Sequence, residues 1–243
     1  MYLDSFHHAE RHQVTITAEQ ASRFAKEIAD DFNPLHNPDA KRFCVPGDLL
    51  FSLILSKYGL SQKMCFLFKG MVGDNTVLDF TPTTAAQFAL TDAQAPDKVY
   101  LQVEREGEQS HHQSMIEIFT RNYVAFSGHN YPHTLQPLLA ENGVMINPER
   151  PMVIYERMSF ELERVDLQQP EMAATPAEFT VKGKRGIANL NFVIKENGQT
   201  VGSGFKRLLV SGLKPYDEAA ANALAQSYLD SKTAYKQKQQ AAA

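Results

Sequence analysis

The stretch Asp31-Phe32-Asn33-Pro34-Leu35-His36 brings a carboxylate, an amide, a proline and an imidazole into one short segment. Pro34 disfavours the α conformation at Asn33, so a helix that precedes the stretch is expected to end near Asp31. On an uninterrupted helix, Asp31 and His36 would point in different directions. The break therefore allows the two side chains to converge, with the Asn33 side chain steadying the turn. Such a pair is suited to hold a water molecule and move its proton.

A helix before this stretch is predicted by its start and by its apolar spacing. Thr17 and Gln20 have the spacing of a capping box, in which the two side chains bond each other's backbone amides. Apolar residues then recur at helical spacing at Ala21, Phe24, Ala25, Ile28 and Phe32. Asp, Asn and Pro after a helix are also ordinary turn residues, so the stretch needs supporting context.

The segment that follows predicts a short loop and then a buried helix. Residues 47–55 are apolar nearly all round, which is typical of a helix inside a core. The amides of Gly47 and Asp48 at its start are unpaired donors at the positive end of the helix dipole. They could stabilise an oxyanion, although the Asp48 carboxylate would oppose negative charge beside it.

The string Asp-x-Asn-Pro-x-His at 31–36, followed by a buried helix that begins at a glycine, resembles the signature of the MaoC-like, (R)-specific enoyl-CoA hydratases. This family belongs to the hot-dog superfamily, in which antiparallel strands wrap a central helix. The chain departs from the family pattern at Ala29-Asp30, where Ser-Gly is usual, and at Pro46, where His is usual. The segment from His36 to Gly47 is also shorter. The resemblance implies a divergent bacterial branch of the superfamily.

Further strands and a weak internal repeat extend this interpretation. Strands are predicted at 64–72, 76–80, 99–105, 115–124, 152–162, 177–182, 187–195 and 201–210, with Asn197-Gly198 as a hairpin turn. Residues 126–133 resemble a degraded copy of the motif, a short helix follows at 135–142, and 168–176 is expected to be a surface loop. We therefore expect an α+β double hot-dog, with two antiparallel sheets each wrapped around a central helix. Its parts are an N-terminal unit at 1–125, a degenerate unit at 126–215, and a C-terminal helix with a polar tail at 216–243.

The resemblance also implies an activity and a set of site residues. The expected reaction is hydration of a trans-2-enoyl thioester, or the reverse dehydration of a 3-hydroxyacyl thioester, without cofactor or metal. Asp31 would be the general base on water, His36 would share that water, and the Gly47 amide would polarise the thioester carbonyl, with Asn33 completing the catalytic set. The expected substrate-binding residues are Leu50, Phe51, Ile54, Lys184 and Arg185. Lys184 and Arg185 could meet the phosphates of coenzyme A or could form a solvated hairpin tip.

Two other functions remain open at this point. The departures from the family pattern favour a hot-dog protein that binds an acyl thioester without turning it over, as a sensor or an interaction module. Thioester hydrolysis on the same fold is the third reading, and no feature of the sequence singles it out. Ser127, for example, lacks the context of a nucleophile elbow and is not predicted to be catalytic.

Composition narrows the location and the partners. The chain has 243 residues, 43% of them hydrophobic, and no apolar run long enough to span a membrane. Residues 1–13 have no apolar core of a signal peptide, and the two cysteines provide no disulfide framework. A net charge of −4 argues against general nucleic-acid binding. We expect a cytoplasmic protein, as a monomeric double hot-dog or a homodimer, that takes its substrate from coenzyme A or acyl carrier protein.

Overall fold

The computed structural model describes residues 2–242, and these form an α+β fold as predicted. The helices are α1 Ala18–Glu27, α2 Gly47–Tyr58, α3 Gln113–Gly128, α4 Leu135–Glu141 and α5 Glu218–Ala242. The strands are β1 His8–Glu10, β2 Gln13–Thr15, β3 Leu60–Phe68, β4 Leu78–Asp79, β5 Gln87–Asp92, β6 Ala95–Ser110, β7 Val144–Met145, β8 Val153–Leu162, β9 Glu171–Ala174, β10 Glu178–Lys182, β11 Arg185–Glu196, β12 Gln199–Ser211 and β13 Lys214–Pro215.

Most of the strands belong to one antiparallel sheet of 11 strands. Their order is β1-β2-β4-β5-β6-β3-β8-β12-β11-β10, and β9 pairs with β11 away from this path. The pairing of β3 with β8, from Lys63 opposite Glu161 to Leu67 opposite Arg157, joins the strands of the two halves of the chain. Strands β7 and β13 form a separate small ladder.

The core is built around α2 and α3, which pack against each other. Phe51 of α2 is fully buried and its ring contacts those of Phe66, Tyr123 and Phe160. These rings come from β3, α3 and β8. The aromatic cluster therefore ties the central helices to both halves of the sheet.

Helix α1 begins as predicted but ends earlier than predicted. Thr17 accepts the Gln20 amide at 3.1 Å, and the Gln20 side chain accepts the Thr17 amide at 3.0 Å, which completes the capping box. The helix ends at Glu27 instead of near Asp31. Asp30 has a φ of 53°, a left-handed conformation that stops a helix and reverses the chain. The chain therefore changes direction at Asp30, three residues after the end of α1 and one residue before the motif.

The largest error of the sequence prediction is the strand expected at 115–124, which lies inside α3. Its buried side chains recur at helical spacing, and a short alternating run cannot by itself be separated from a helix. Residues 126–128 form the last turn of α3. From the sequence alone they resemble the start of a degraded copy of the motif. Helix α3 therefore crosses the boundary that was predicted between residues 125 and 126. Smaller differences are the strand β9 inside the expected loop at 168–176 and the continuation of α5 through the expected tail to Ala242.

No helix among the described residues 2–242 is both long and apolar enough to cross a membrane.

Candidate active site

A cavity of about 420 Å³ lies where the two halves of the chain meet. Its walls include the loop at 28–46 that joins α1 to α2 and carries the motif, which we call the motif loop. The start of α2, the end of β3, the start of β8, the end of α3 and one side of α5 also contribute. The volume is in the range of small-molecule sites. The wall is largely apolar, and its polar side chains come from the motif loop, α1, α3 and the residues after it, β8, β12 and α5.

The motif loop places Asp31 and His36 next to each other on the cavity wall. Asn33 Oδ1 accepts the Leu35 amide at 3.1 Å, and Pro34 begins a short 3₁₀ turn that ends at His36. Asp31 Oδ1 accepts the Asn33 amide at 2.9 Å. These bonds fix both ends of the turn, and Asp31 Oδ2 lies 3.7 Å from His36 Nε2. The separation is too long for a direct hydrogen bond, and an oxygen between the two groups could contact both.

The surroundings of His36 hold its ring in one orientation. Nδ1 donates to the backbone carbonyl of Cys44 at 2.8 Å, so Nε2 is the nitrogen that faces Asp31. Burial lowers the pKa of His36, but the Cys44 contacts and the Asp31 carboxylate outweigh burial and raise the pKa to about 9. His36 therefore carries a proton at neutral pH, and the site contains a carboxylate and a proton donor side by side.

Helix α5 covers this loop. The Tyr228 hydroxyl accepts the Phe32 amide at 3.0 Å and donates to Asp31 Oδ1 at 3.4 Å. Asp30 forms ion pairs with Lys236 at 3.1 Å and with Lys232, and its carboxylate lies 3.2 Å from His129 Nε2. The motif loop is thus held against a helix that lies almost 200 residues later in the chain. The sequence did not predict this contact, because no local pattern indicates which distant helix packs on a loop.

Gly47 is placed at the start of α2, on the cavity wall. The preceding Pro46 gives no side-chain cap, and amides in a first helical turn lack intrahelical partners. A Cβ at Gly47 would lie 3.0 Å from Tyr155 Cδ2 and 3.1 Å from Phe68 Cε1, so a larger residue would require these rings to shift by a few tenths of an ångström. The Gly47 amide is therefore available at the edge of a closely packed wall.

The predicted substrate-binding residues separate into two groups. Leu50 lines the cavity. Phe51 and Ile54 do not, because both are fully buried in the main core on other sides of α2. Lys184 lies in the turn between β10 and β11 and Arg185 begins β11; both are exposed, and neither lines the cavity. Since the tip of a hairpin extends from a sheet into solvent, the solvated reading fits these two residues.

A second polar cluster, formed by Asp48, Ser127, Tyr155 and Lys206, lies beside Gly47. The Ser127 hydroxyl donates to Asp48 Oδ2 at 2.5 Å, contacts the Tyr155 hydroxyl, and accepts from Lys206 Nζ at 2.7 Å. The Tyr155 hydroxyl also donates to Asp48, at 3.1 and 3.2 Å from its two oxygens. Ser127, Tyr155 and Lys206 line the cavity, and Asp48 lies behind them.

The charges of this cluster offset each other. Burial raises the pKa of Asp48, and Lys206 and the Ser127 hydrogen bond work against that rise. Burial lowers the pKa of Lys206 to about 8, with Asp48 opposing the fall. Asp48, which the sequence suggested would oppose an oxyanion beside Gly47, thus has a compensating cation nearby. Sequence reasoning missed Ser127, Tyr155 and Lys206 as site residues, since only the fold brings them to Asp48.

Among the described residues, no group of three or more His, Cys, Asp or Glu side chains is arranged to hold a metal ion.

Comparison with known proteins identifies a family but no activity. A family model described as "Protein of unknown function (DUF3581)" matches residues 1–219. No curated protein is significantly similar to the chain in sequence.

Three solved structures are similar at a low level. The acyl-CoA thioesterase II TesB2 from Mycobacterium marinum has a TM-score of 0.39 and 9% identity, and the match covers 89% of this chain and 100% of that chain. A TesB protein from Mycobacterium avium subspecies paratuberculosis has a TM-score of 0.37 and 9% identity, with 69% of this chain and 87% of that chain covered. A protein of unknown function with a hot-dog fold from Alicyclobacillus acidocaldarius has a TM-score of 0.42 and 8% identity, with 89% of this chain and 99% of that chain covered. Scores this low assign no activity, so the function has to be argued from the site.

Proposed function

The chain belongs to the DUF3581 family, and we propose that it hydrates trans-2-enoyl thioesters, or dehydrates 3-hydroxyacyl thioesters, at the Asp31–His36 pair. The observation that carries this proposal is the separation of 3.7 Å between Asp31 Oδ2 and His36 Nε2 on the wall of a largely apolar cavity. A water oxygen between them would have a proton acceptor on one side and a proton donor on the other. Addition of water to a double bond needs both groups at once.

The proposed scaffold is a double hot-dog. In the N-terminal half, the order β2-β4-β5-β6-β3 with α2 packed against it supports a first unit. The order β8-β12-β11-β10 with α3 supports a second unit, and the β3–β8 pairing would join the two as in a dimer of single units. Because α3 crosses the boundary at 125/126, we propose that the first unit ends near the end of β6 and that the second unit begins after it. The C-terminal part from residue 216, which contains α5, would pack against both units.

The reaction would proceed as one addition of water. Asp31 takes a proton from the water as its oxygen bonds to the β-carbon of the enoyl group. The electron pair of the double bond moves toward the thioester carbonyl, where the Gly47 amide stabilises the enolate oxygen. The protonated His36 then delivers a proton to the α-carbon, and the pair is reset by proton exchange with solvent. Dehydration follows the same steps in reverse.

The cavity supports an acyl thioester as the substrate. Its apolar wall includes Leu50, Phe68, Val72 and Leu208, which suits an acyl chain and excludes bulk water from the reacting carbons. Coenzyme A or acyl carrier protein would be the carrier of the acyl group. Cys44 and Cys65 are free thiols, which suits the cytoplasm as the compartment.

A second candidate function is binding of an acyl thioester without turnover. The contact between the Tyr228 hydroxyl and Asp31 Oδ1 favours it, because α5 then occupies one side of the proposed base. A protein of this kind would bind the same ligands with the cavity closed. The two functions differ in whether the enoyl group is consumed.

The loss of enoyl-thioester ultraviolet absorbance separates these functions. Purified protein is added to enoyl-CoA substrates of short and medium chain length, and free thiol is assayed in parallel. Calorimetric titration with the saturated acyl-CoA of the same lengths measures binding.

Loss of absorbance without thiol release supports the hydratase. Binding without any loss of absorbance, by folded protein at every chain length, contradicts the hydratase and supports the binding function.

A further inference from the structure

Ser127 lies at the centre of the second polar cluster. Its hydroxyl oxygen is bonded to a carboxylate, a phenol and an ammonium group, namely those of Asp48, Tyr155 and Lys206. Lys206 Nζ also donates to the Ser127 carbonyl, at 3.3 Å. The serine is buried, yet it lies on the cavity wall together with Tyr155 and Lys206.

The neighbouring glycine brings Ser127 close to the motif loop. A Cβ at Gly128 would lie 1.6 Å from the Ala29 carbonyl oxygen and 3.3 Å from the Asp31 amide nitrogen. Only glycine permits this approach, so the last turn of α3 lies directly against the segment that carries Asp31. Ser127 and the Asp31–His36 pair line the same cavity.

The contacts of Ser127 are those of an activated nucleophile. A serine hydroxyl becomes reactive when a general base accepts its proton and a third group holds the arrangement. Asp48 accepts that proton at 2.5 Å, and Lys206 places a cation 2.7 Å from the same oxygen. The Lys206 contact is within the range of about 2.6–3.2 Å expected of catalytic hydrogen bonds, and the Asp48 contact is slightly shorter.

We infer that Ser127 is a nucleophile that takes acyl groups from thioesters in this cavity, so that the protein also hydrolyses acyl thioesters through an acyl-serine. The ligand class is saturated or unsaturated acyl thioesters. Hydrolysis does not require the double bond that hydration consumes. The activity therefore goes beyond the proposed hydration and does not depend on it.

The step balances with the groups present. Ser127 Oγ forms a bond to the thioester carbonyl carbon as its proton passes to Asp48, and Lys206 stabilises the negative charge that develops on the oxygens. The carbon–sulfur bond breaks, and Asp48 returns the proton through the Tyr155 hydroxyl to the leaving sulfur, which departs as a thiol.

A water held by Asp31 and His36 then attacks the ester. Asp31 takes one proton of that water, the bond from the acyl carbon to Ser127 Oγ breaks, and Asp31 passes the proton through solvent in the cavity to Ser127 Oγ. The products are the carboxylic acid and the thiol, and the enzyme is unchanged.

The test uses two saturated substrates and one covalent probe. Butyryl-CoA and octanoyl-CoA cannot be hydrated, so thiol release from them reports hydrolysis alone. A fluorophosphonate probe reports an activated serine, and its site is found by mass spectrometry of peptides. Both measurements are made on the full-length wild type, Ser127→Ala and Lys206→Met. Ser203→Ala is the matched control, because Ser203 is exposed on β12, the strand that carries Lys206, and does not line the cavity.

We expect the probe to label wild type and Ser203→Ala at Ser127. We also expect thiol release to fall about a hundredfold or more in Ser127→Ala and in Lys206→Met. Failure of the probe to label folded wild type at Ser127 would overturn the inference, whatever the two variants do. Undiminished thiol release by folded Ser127→Ala would overturn it too. If hydration is absent while these results hold, the proposed hydratase fails and the acyl-serine stands.

Discussion

His36 shows how much of the chemistry depends on contacts a few ångströms from the motif. The sequence indicated that Asp31 and His36 could converge, because Pro34 breaks the helix between them, and the structure places the two side chains 3.7 Å apart. It could not indicate that the Cys44 carbonyl fixes Nδ1, or that Tyr228 reaches Asp31 from α5. The motif is local, whereas its electrostatic surroundings come from the whole chain.

The raised pKa of His36 predicts both a titration and a pH dependence of stability. The folded-state pKa of about 9 exceeds the ordinary 6.5, so the contribution to stability is complete below pH 6.5 and is lost as the pH rises through 9. Histidine ring signals in nuclear magnetic resonance spectra check this. The signal missing from His36→Gln is expected to titrate near pH 9. Titration of that signal at pH 6–7 would contradict the assigned environment.

At the scale of elements, the sequence was most informative where a helix or turn has a chemical end signal. The capping box of α1, the glycine start of α2 and the Asn197-Gly198 turn were predicted and are present, the last with positive φ at both residues. α3 was read in part as a strand, because its apolar and polar residues alternate over a short run and it has no cap hydrogen bond from a side chain at its start. The misassigned strand thus had no end signal, whereas the end of α1 was misplaced by about four residues although Pro34 marked it.

Leu50 and Phe51 are neighbours on α2 with different expected roles. Phe51→Ala removes a ring from the centre of the aromatic cluster, and we expect a loss of about 3–5 kcal/mol of unfolding free energy. Leu50→Ala also destabilises the protein, but it enlarges the cavity and should shift the preferred substrate toward longer acyl chains.

Urea denaturation and substrate series of increasing chain length measure the two effects. A shift of chain-length preference in Phe51→Ala that equals the shift in Leu50→Ala would contradict the placement of Phe51 in the core.

At the scale of the molecule, the cavity exists because the two halves form one sheet. Walls come from residues before 73 and after 126, and the β3–β8 pairing holds them in register. The sequence suggested two related units from length and a weak repeat, but strand pairing across 90 or more residues leaves no local signature. For that reason Lys206 and Tyr155 could not be predicted as parts of the site.

This joining predicts that the N-terminal unit does not fold alone. A fragment of residues 1–125 cuts α3 and removes Phe160 and Phe192, which contact Phe119 and Tyr123 of that helix. We expect the fragment to show no cooperative urea transition by circular dichroism, whereas the full chain shows a single one. A fragment with a steep transition of its own would contradict this account of the core.

The most direct test of the central claim is the rate of enoyl-thioester hydration by Asp31→Asn, compared with Asp39→Asn. The Asp39 side chain is exposed in the same loop and does not line the cavity, so its variant controls for the loss of a carboxylate. We expect the rate to fall about a hundredfold or more in Asp31→Asn and to stay near the wild-type value in Asp39→Asn. Equal rates in wild type and folded Asp31→Asn would show that water is not activated at this pair.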